Sequence, residues 1–208
     1  MIKRAIFVFG ILCLVIAASG VLYAAWVVHR GFSTRTAPGL AETEIAETMR
    51  DAAIPSRYRS MKNPVTVTPG VLEAGMAHWA DHCATCHANN GSGDTMYGKT
   101  MYPRPPDMRQ KDTQELSDGE LFYIIQNGVR LSGMPAFGAA VDNDLDSWKL
   151  VAFIRHLPTL SQSEEMRMEK MNPKSPQDLE EEQEEENFLK GGSAPSQPQS
   201  THHREEIP

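Results

Sequence analysis

Two thiols and an imidazole stand within five residues, Cys83-Ala84-Thr85-Cys86-His87, and one chemistry uses all three. At the end of a helical segment, cysteines three apart reach the two vinyl groups of a single haem. The adjacent histidine is then carried under the iron as its proximal ligand, and C-x-x-C-H is the pattern of covalent haem c attachment. Two other uses of such thiols compete. A structural zinc site needs four closed ligands and, as a ribbon, a second cysteine pair. A thioredoxin-like dithiol calls for a βαβ setting that the neighbouring sequence lacks. The third cysteine, Cys13, lies in an apolar run and reads as a buried or lipid-facing thiol. One motif therefore predicts one haem and its iron.

An iron held by His87 needs a sixth ligand or an open position. Methionine closes the site, keeps it low-spin and raises the potential, whereas an open site invites small ligands. Among eleven methionines the candidate is Met134, in Leu131-Ser132-Gly133-Met134-Pro135-Ala136-Phe137-Gly138. Glycine before and proline after it suit a loop passing close to a porphyrin edge. Met101 is the second choice, and the remaining methionines read as apolar filler. The predicted metal ligands are thus His87 and Met134.

The elements that must position these groups follow from local signals. Thr68-Pro69 is an N-cap followed by proline at the first helical position. It predicts a helix to about His82, with Val71, Leu72, Gly75 and Trp79 along one side. His78 and His82 lie on this helix, where solvent exposure is expected. A loop-rich stretch over 88–113 carries Pro103, Pro105 and Pro106. Ser117 and Glu120 make a capping box, and Leu116 and Leu121 a hydrophobic staple, so a second helix begins there and stops at Asn127-Gly128. A third runs from near Asp144 to Leu157 and ends at Pro158, with Trp148, Val151, Ala152 and Arg155 on one stripe and Leu150, Phe153, Ile154 and Leu157 on another.

The chain's ends differ from this middle. Residues 5–28 carry no formal charge and are flanked by Lys3, Arg4, His29 and Arg30, a run that spans the roughly 30 Å core of a bilayer as a helix. Tyr23 and Trp26 suit an interfacial position. A cleavable signal peptide ending near Ala17-Ala18-Ser19 is the rival reading, but apolar residues continue through Val28, which favours an uncleaved anchor. Lys3 and Arg4 would keep the short tail cytoplasmic and place the rest outside, in a bacterium the periplasm. Residues 31–69 read as a tether with one helical stretch over 41–53, where Ile45, Met49 and Ala52 share a face; Arg57, Arg59 and Lys62 read as solvated. The net charge of −7 belongs to the residues from Ser161 onward, twelve acidic against five basic; with 180–186 almost wholly glutamate they predict disorder. His202-His203 falls in that tail and carries no expectation of its own. No basic stripe supports nucleic-acid binding. The divisions expected are 1–30 anchor, 31–69 tether, 70–160 globular domain and 161–208 disordered acidic tail.

Over residues 70–160 the chain resembles class I c-type cytochromes, specifically small bacterial monohaem members with a membrane anchor. Gly75 and Trp79 match the glycine and aromatic that precede the first haem cysteine by eight and four residues. Leu150 and Phe153 match the leucine and aromatic of the crossing C-terminal helix. The resemblance implies an all-α fold of three to four helices around one haem. It also implies a proline carbonyl that takes the proximal histidine's ring N–H, with Pro103 and Pro105 as candidates. The segment Tyr102-Pro103-Arg104-Pro105-Pro106-Asp107 resembles members related to oxidase-associated subunits. The expected role is electron transfer rather than enzymatic turnover, with redox proteins and the membrane as partners and no small-molecule substrate. A fixed subunit of an oxidase or dehydrogenase is the alternative to a free shuttle. A haem sensor or peroxidase is a further one, although no distal acid–base pair is apparent.

Overall fold

The computed structural model describes residues 2–31, 33–139 and 141–191, and within them the regular structure is helical, without strands. Helix α1 (Ile2–Arg30) is a single apolar rod with no buried residue. Its 29 residues extend about 43 Å, enough to cross a bilayer.

The core is built by two crossing helices, α4 (Pro69–His78) and α9 (Leu145–His156), with α8 (Asp118–Asn127) packed beside them. Thr68 caps α4 through its hydroxyl, which accepts from the Val71 amide at 3.2 Å. Ser117 and Glu120 close the predicted capping box on α8. Asp144 caps α9 by accepting from the Asp146 and Ser147 amides. Gly75 is what lets α4 and α9 cross so closely. A Cβ there would lie 2.6 Å from the Lys149 carbonyl oxygen and 2.9 Å from Phe153 Cβ. Around the crossing, Trp79, Phe122, Trp148, Leu150, Val151 and Phe153 are at most 1 % exposed. The Phe122 and Trp148 rings stack at 4.0 Å and 12°.

Two segments depart from the sequence expectation. The tether is only partly a tether. Helix α2 (Leu40–Ala53) forms where a helix was expected, but Ile54 and Tyr58 then enter the core. The short helix α3 (Ser56–Arg59) lays the Tyr58 ring 4.8 Å from Tyr123 and 6.4 Å from Phe122. Gly119 makes room for the Tyr58 carbonyl. Tyr58 Oη donates to Asp142, and Asn63 donates to the Trp148 carbonyl. The physical cause is that two isolated large apolar side chains, too sparse to give a periodic signal, bury fully once α8 offers a surface. Arg57 and Arg59 are correspondingly engaged: Arg57 bonds Tyr58 and faces Asp142, and Arg59 bonds the Asp51 carbonyl and faces Glu120.

The beginning of the acidic tail is also ordered. Ser161 and Glu164 form a capping box that starts α10 (Gln162–Glu169), whose Met168 is fully buried. Arg167 pairs with Glu73 on α4, and His156 with Glu164. Charge dominates this stretch in composition, yet one buried methionine, the long-range Arg167–Glu73 ion pair and the His156–Glu164 contact dock it. Helix α11 (Pro176–Leu189) follows, capped by Ser175 and exposed. The remainder of the tail, 192–208 with His202-His203, lies outside the described residues. Met168→Ala should cost about 2–4 kcal/mol in chemical denaturation of the haem-loaded protein, the range for emptying a buried methionine site; a cost below about 0.5 kcal/mol would mean the docking contributes nothing. The Ser161 hydroxyl and amide, and then His156, hold the Glu164 carboxyl down from 4.5 to about 2. Its contribution, chiefly to the α10 cap, is therefore present above pH 4.5 and fades as pH falls toward 2.

Candidate haem-attachment site

The candidate attachment residues occupy one stretch of helix that changes its winding. After His78 the backbone takes a π-helical turn over Trp79–Cys83, then resumes as α5 (Ala84–His87). Such wide turns insert an extra residue and re-aim the side chains that follow them. Nothing in the residue pattern announces this. The helix ends at Ala88, at φ 63° and ψ 159°, a backbone region that essentially only glycine occupies without strain. The Ala88 carbonyl accepts from the Trp79 indole N–H at 3.1 Å and from the Gly91 amide at 3.1 Å, which holds the turn. Ala88→Gly should therefore stabilise the fold by about 1–2 kcal/mol, read as a raised denaturation midpoint at unchanged haem content.

The chain then folds back over the motif. The Gly93 amide donates to the His87 carbonyl at 2.8 Å, and Thr95 Oγ1 donates to the Cys86 carbonyl at 3.3 Å. Helix α6 (Met96–Thr100) brings Gly98 so near the Cys86 carbonyl that a Cβ would lie 2.7 Å from it. The prolines lie beyond, between α6 and α7 (Lys111–Gln114), with the Pro105 carbonyl 2.7 Å from where a Gly93 Cβ would stand.

His87 is half-buried, its ring 5.6 Å from Trp79, and burial lowers its pKa to about 4. It is therefore the neutral imidazole at ordinary pH, which is the form that binds metal. Its Nδ1 is buried and has no hydrogen-bond partner, from the Pro103 or Pro105 carbonyl or any other described group. Cys83 and Cys86 are free thiols, and burial pushes Cys83 up to about 12. A dithiol catalyst needs a thiolate near neutral pH, so Cys83 is wrongly tuned for redox exchange. A zinc site fares no better: among the described residues no three His, Cys, Asp or Glu side chains converge as metal ligands. Two free cysteines and a neutral imidazole on one helix end do fit a covalently attached haem.

The loop carrying Met134 is held from several directions. It leaves α8 at Gly128, whose φ of 65° keeps a side chain out of the space taken by the Met134 carbonyl. That carbonyl accepts from the Val129 amide, Ser132 Oγ accepts from the Met134 amide, and the Phe137 amide donates to the Ile125 carbonyl. Beyond it, buried Gln126 packs against Gly138 and donates to Asp144 and Ser147, tying the loop to the start of α9. Met134 itself is half-buried. The loop reaches the attachment helix through Phe137, whose ring lies 6.3 Å from His82. The methyl of Met101 lies against Gly133, so both methionines singled out in the sequence come to one loop.

The all-helical segment and its C-x-x-C-H turn are those expected of a cytochrome c domain. Residues 70–154 match the family model described as cytochrome C oxidase, cbb3-type, subunit III. The match makes this segment a haem-based electron-transfer domain with covalently bound haem c, preceded by an apolar helix of membrane-spanning length. No curated protein matches the chain.

Proposed function

We propose that the protein is a membrane-anchored monohaem cytochrome that carries single electrons between respiratory complexes, its haem held by Cys83 and Cys86 and its iron by His87 and Met134. The observation that carries this reading is the neutral His87, its Nδ1 buried and unpartnered, beside two free cysteines within a matched cytochrome c segment. Haem, when bound, supplies the one-electron couple of its iron. The chain's residues supply the rest. Trp79 packs on the His87 ring and excludes water from that side. The orphaned Nδ1 is where a backbone carbonyl would fix the tautomer and raise ligand basicity. Of Pro103 and Pro105 we favour Pro105, because its carbonyl already lies against Gly93, which is bonded to His87.

A fixed subunit of an oxidase is the second reading, favoured by the family matched and by the docked tether. Helix α2 lies against the domain, its Glu47 and Arg50 lining a hollow with Pro106, Asp107, Gln110, Asp112 and Thr113. The nine residues 31–39 between α1 and α2 would span about 30 Å if extended, a leash that serves neighbours within one complex as well as a short-range shuttle. The outer face of a bacterial inner membrane is the compartment this reading implies.

The test is an optical spectrum of the reduced full-length protein before and after carbon monoxide, beside the Cys83→Ala/Cys86→Ala variant. The expected result is a low-spin spectrum indifferent to carbon monoxide, with haem surviving denaturation only in the wild type. Rapid formation of an adduct would replace electron carriage with a ligand-binding role. Co-purification of other redox proteins after mild detergent extraction separates the subunit from the shuttle.

A further inference from the structure

We propose that His78 and His82 form a second metal site, a two-imidazole chelate for a divalent transition-metal ion, copper(II) in preference to zinc(II), on the flank of the attachment helix. His78 ends α4 and His82 follows in the π turn, four residues on. Side chains at that spacing share a helix face, and histidine pairs so placed are a metal-binding arrangement. The two rings are 4.9 Å apart at 74°. His82 Nδ1 lies 3.1 Å from an Asp81 carboxylate oxygen, which occupies that nitrogen and leaves Nε2 for an ion. A carboxylate behind a ligating imidazole orients the ring and raises its basicity.

His78 has two unclaimed nitrogens: among the described residues neither takes part in a hydrogen bond. Burial, and then the neighbouring His82, lower its pKa, while Asp146, Asp144 and Asp81 act in the other direction. The ring is thus kept in its neutral, ligating form, and the same three carboxylates set a negative potential at His78 that favours a cation. No third His, Cys, Asp or Glu among the described residues closes the set. The remaining positions belong to water, so the site is open and exchangeable. With imidazole ligands and no imposed geometry, the general order of divalent affinities puts copper above zinc. The chelate uses neither iron ligand and stands apart from the proposed haem ligation.

The test titrates haem-loaded, full-length protein in detergent with copper(II) sulfate and, separately, zinc(II) chloride, followed by calorimetry and by the copper electron paramagnetic resonance signal. We expect one tight ion per chain, copper bound more tightly than zinc, and nitrogen hyperfine structure from two imidazoles. His78→Gln and His82→Gln should each weaken binding at least about tenfold, and Asp81→Asn about tenfold as the loss of an orienting carboxylate does. His202→Gln/His203→Gln should leave the tight site intact. His82 adjoins Cys83, so haem content is measured in every variant and His78→Gln, one turn away, is decisive. Wild-type affinity in His78→Gln at normal haem content would overturn the site, as would loss of the tight ion on changing only His202 and His203.

Discussion

Replacing Met134 by alanine should convert a closed haem into one that binds carbon monoxide in the reduced state. The reduction potential should fall by roughly a tenth of a volt or more, within the ~0.8 V span that axial ligands command. The argument rests on how the loop is held. Gly128 at φ 65°, the Val129–Met134 and Phe137–Ile125 backbone bonds and the Ser132 hydroxyl fix the path of 128–137 independently of the methionine side chain. Truncation at Cβ would therefore remove the proposed ligand without dismantling the loop, and stability should change by less than haem chemistry does. Met101 supplies the control, since its methyl lies against Gly133. Met101→Ala alone should leave the spectrum low-spin while loosening the loop, read as faster carbon monoxide binding in the Met134→Ala background. A Met134→Ala protein that stays low-spin and indifferent to carbon monoxide would place the sixth ligand elsewhere. Met101→Ala would then be the variant that opens the site.

The parts of the molecule legible in the sequence are those where a short-range signal and the tertiary requirement coincide. The capping box at Ser117 and Glu120 and the N-cap at Thr68 are local hydrogen bonds that the core leaves untouched. The Gly75–Phe153 crossing is legible because only a missing Cβ permits it. The C-x-x-C-H spacing is chemistry written directly in residue types. The π turn over Trp79–Cys83 is a different matter. It is spanned by the Trp79–Ala88 carbonyl contact, between residues nine apart on a strained turn, which no short-range signal encodes. Tyr58 and Met168 were hidden for a third reason. Each is a single apolar residue in polar, proline-broken or acidic sequence, and its burial depends on surfaces offered by α8 and α4. Window averages erase such residues, whereas the Ser161–Glu164 capping box was a usable sign that the acidic tail begins as a helix.

Trp79→Ala should be the most destabilising single change in the domain, costing roughly 3–5 kcal/mol, a large part of the 5–15 kcal/mol that a typical domain possesses. Trp79 is 1 % exposed and connects three things that must remain in register. Its ring packs at 5.8 Å on Phe153 across the helix crossing and at 5.6 Å on His87. Its indole N–H holds the strained Ala88 carbonyl. Alanine would empty a large cavity, free the His87 ring and release the turn that ends the attachment helix. Trp79→Phe keeps an aromatic against Phe153 and His87 but loses the N–H. It should cost about 1–2 kcal/mol, near the net worth of one hydrogen bond plus a modest void. The two variants separate packing from the hydrogen bond, and Ala88→Gly in the Trp79→Phe background recovers part of the second. Denaturation of haem-loaded protein measures stability, and the fraction of chains carrying covalent haem measures attachment. Trp79→Ala that unfolds at the wild-type midpoint would show that the crossing, rather than this tryptophan, supports His87. Covalent haem content that falls in step with stability across the series would show that one side chain couples the fold to the site.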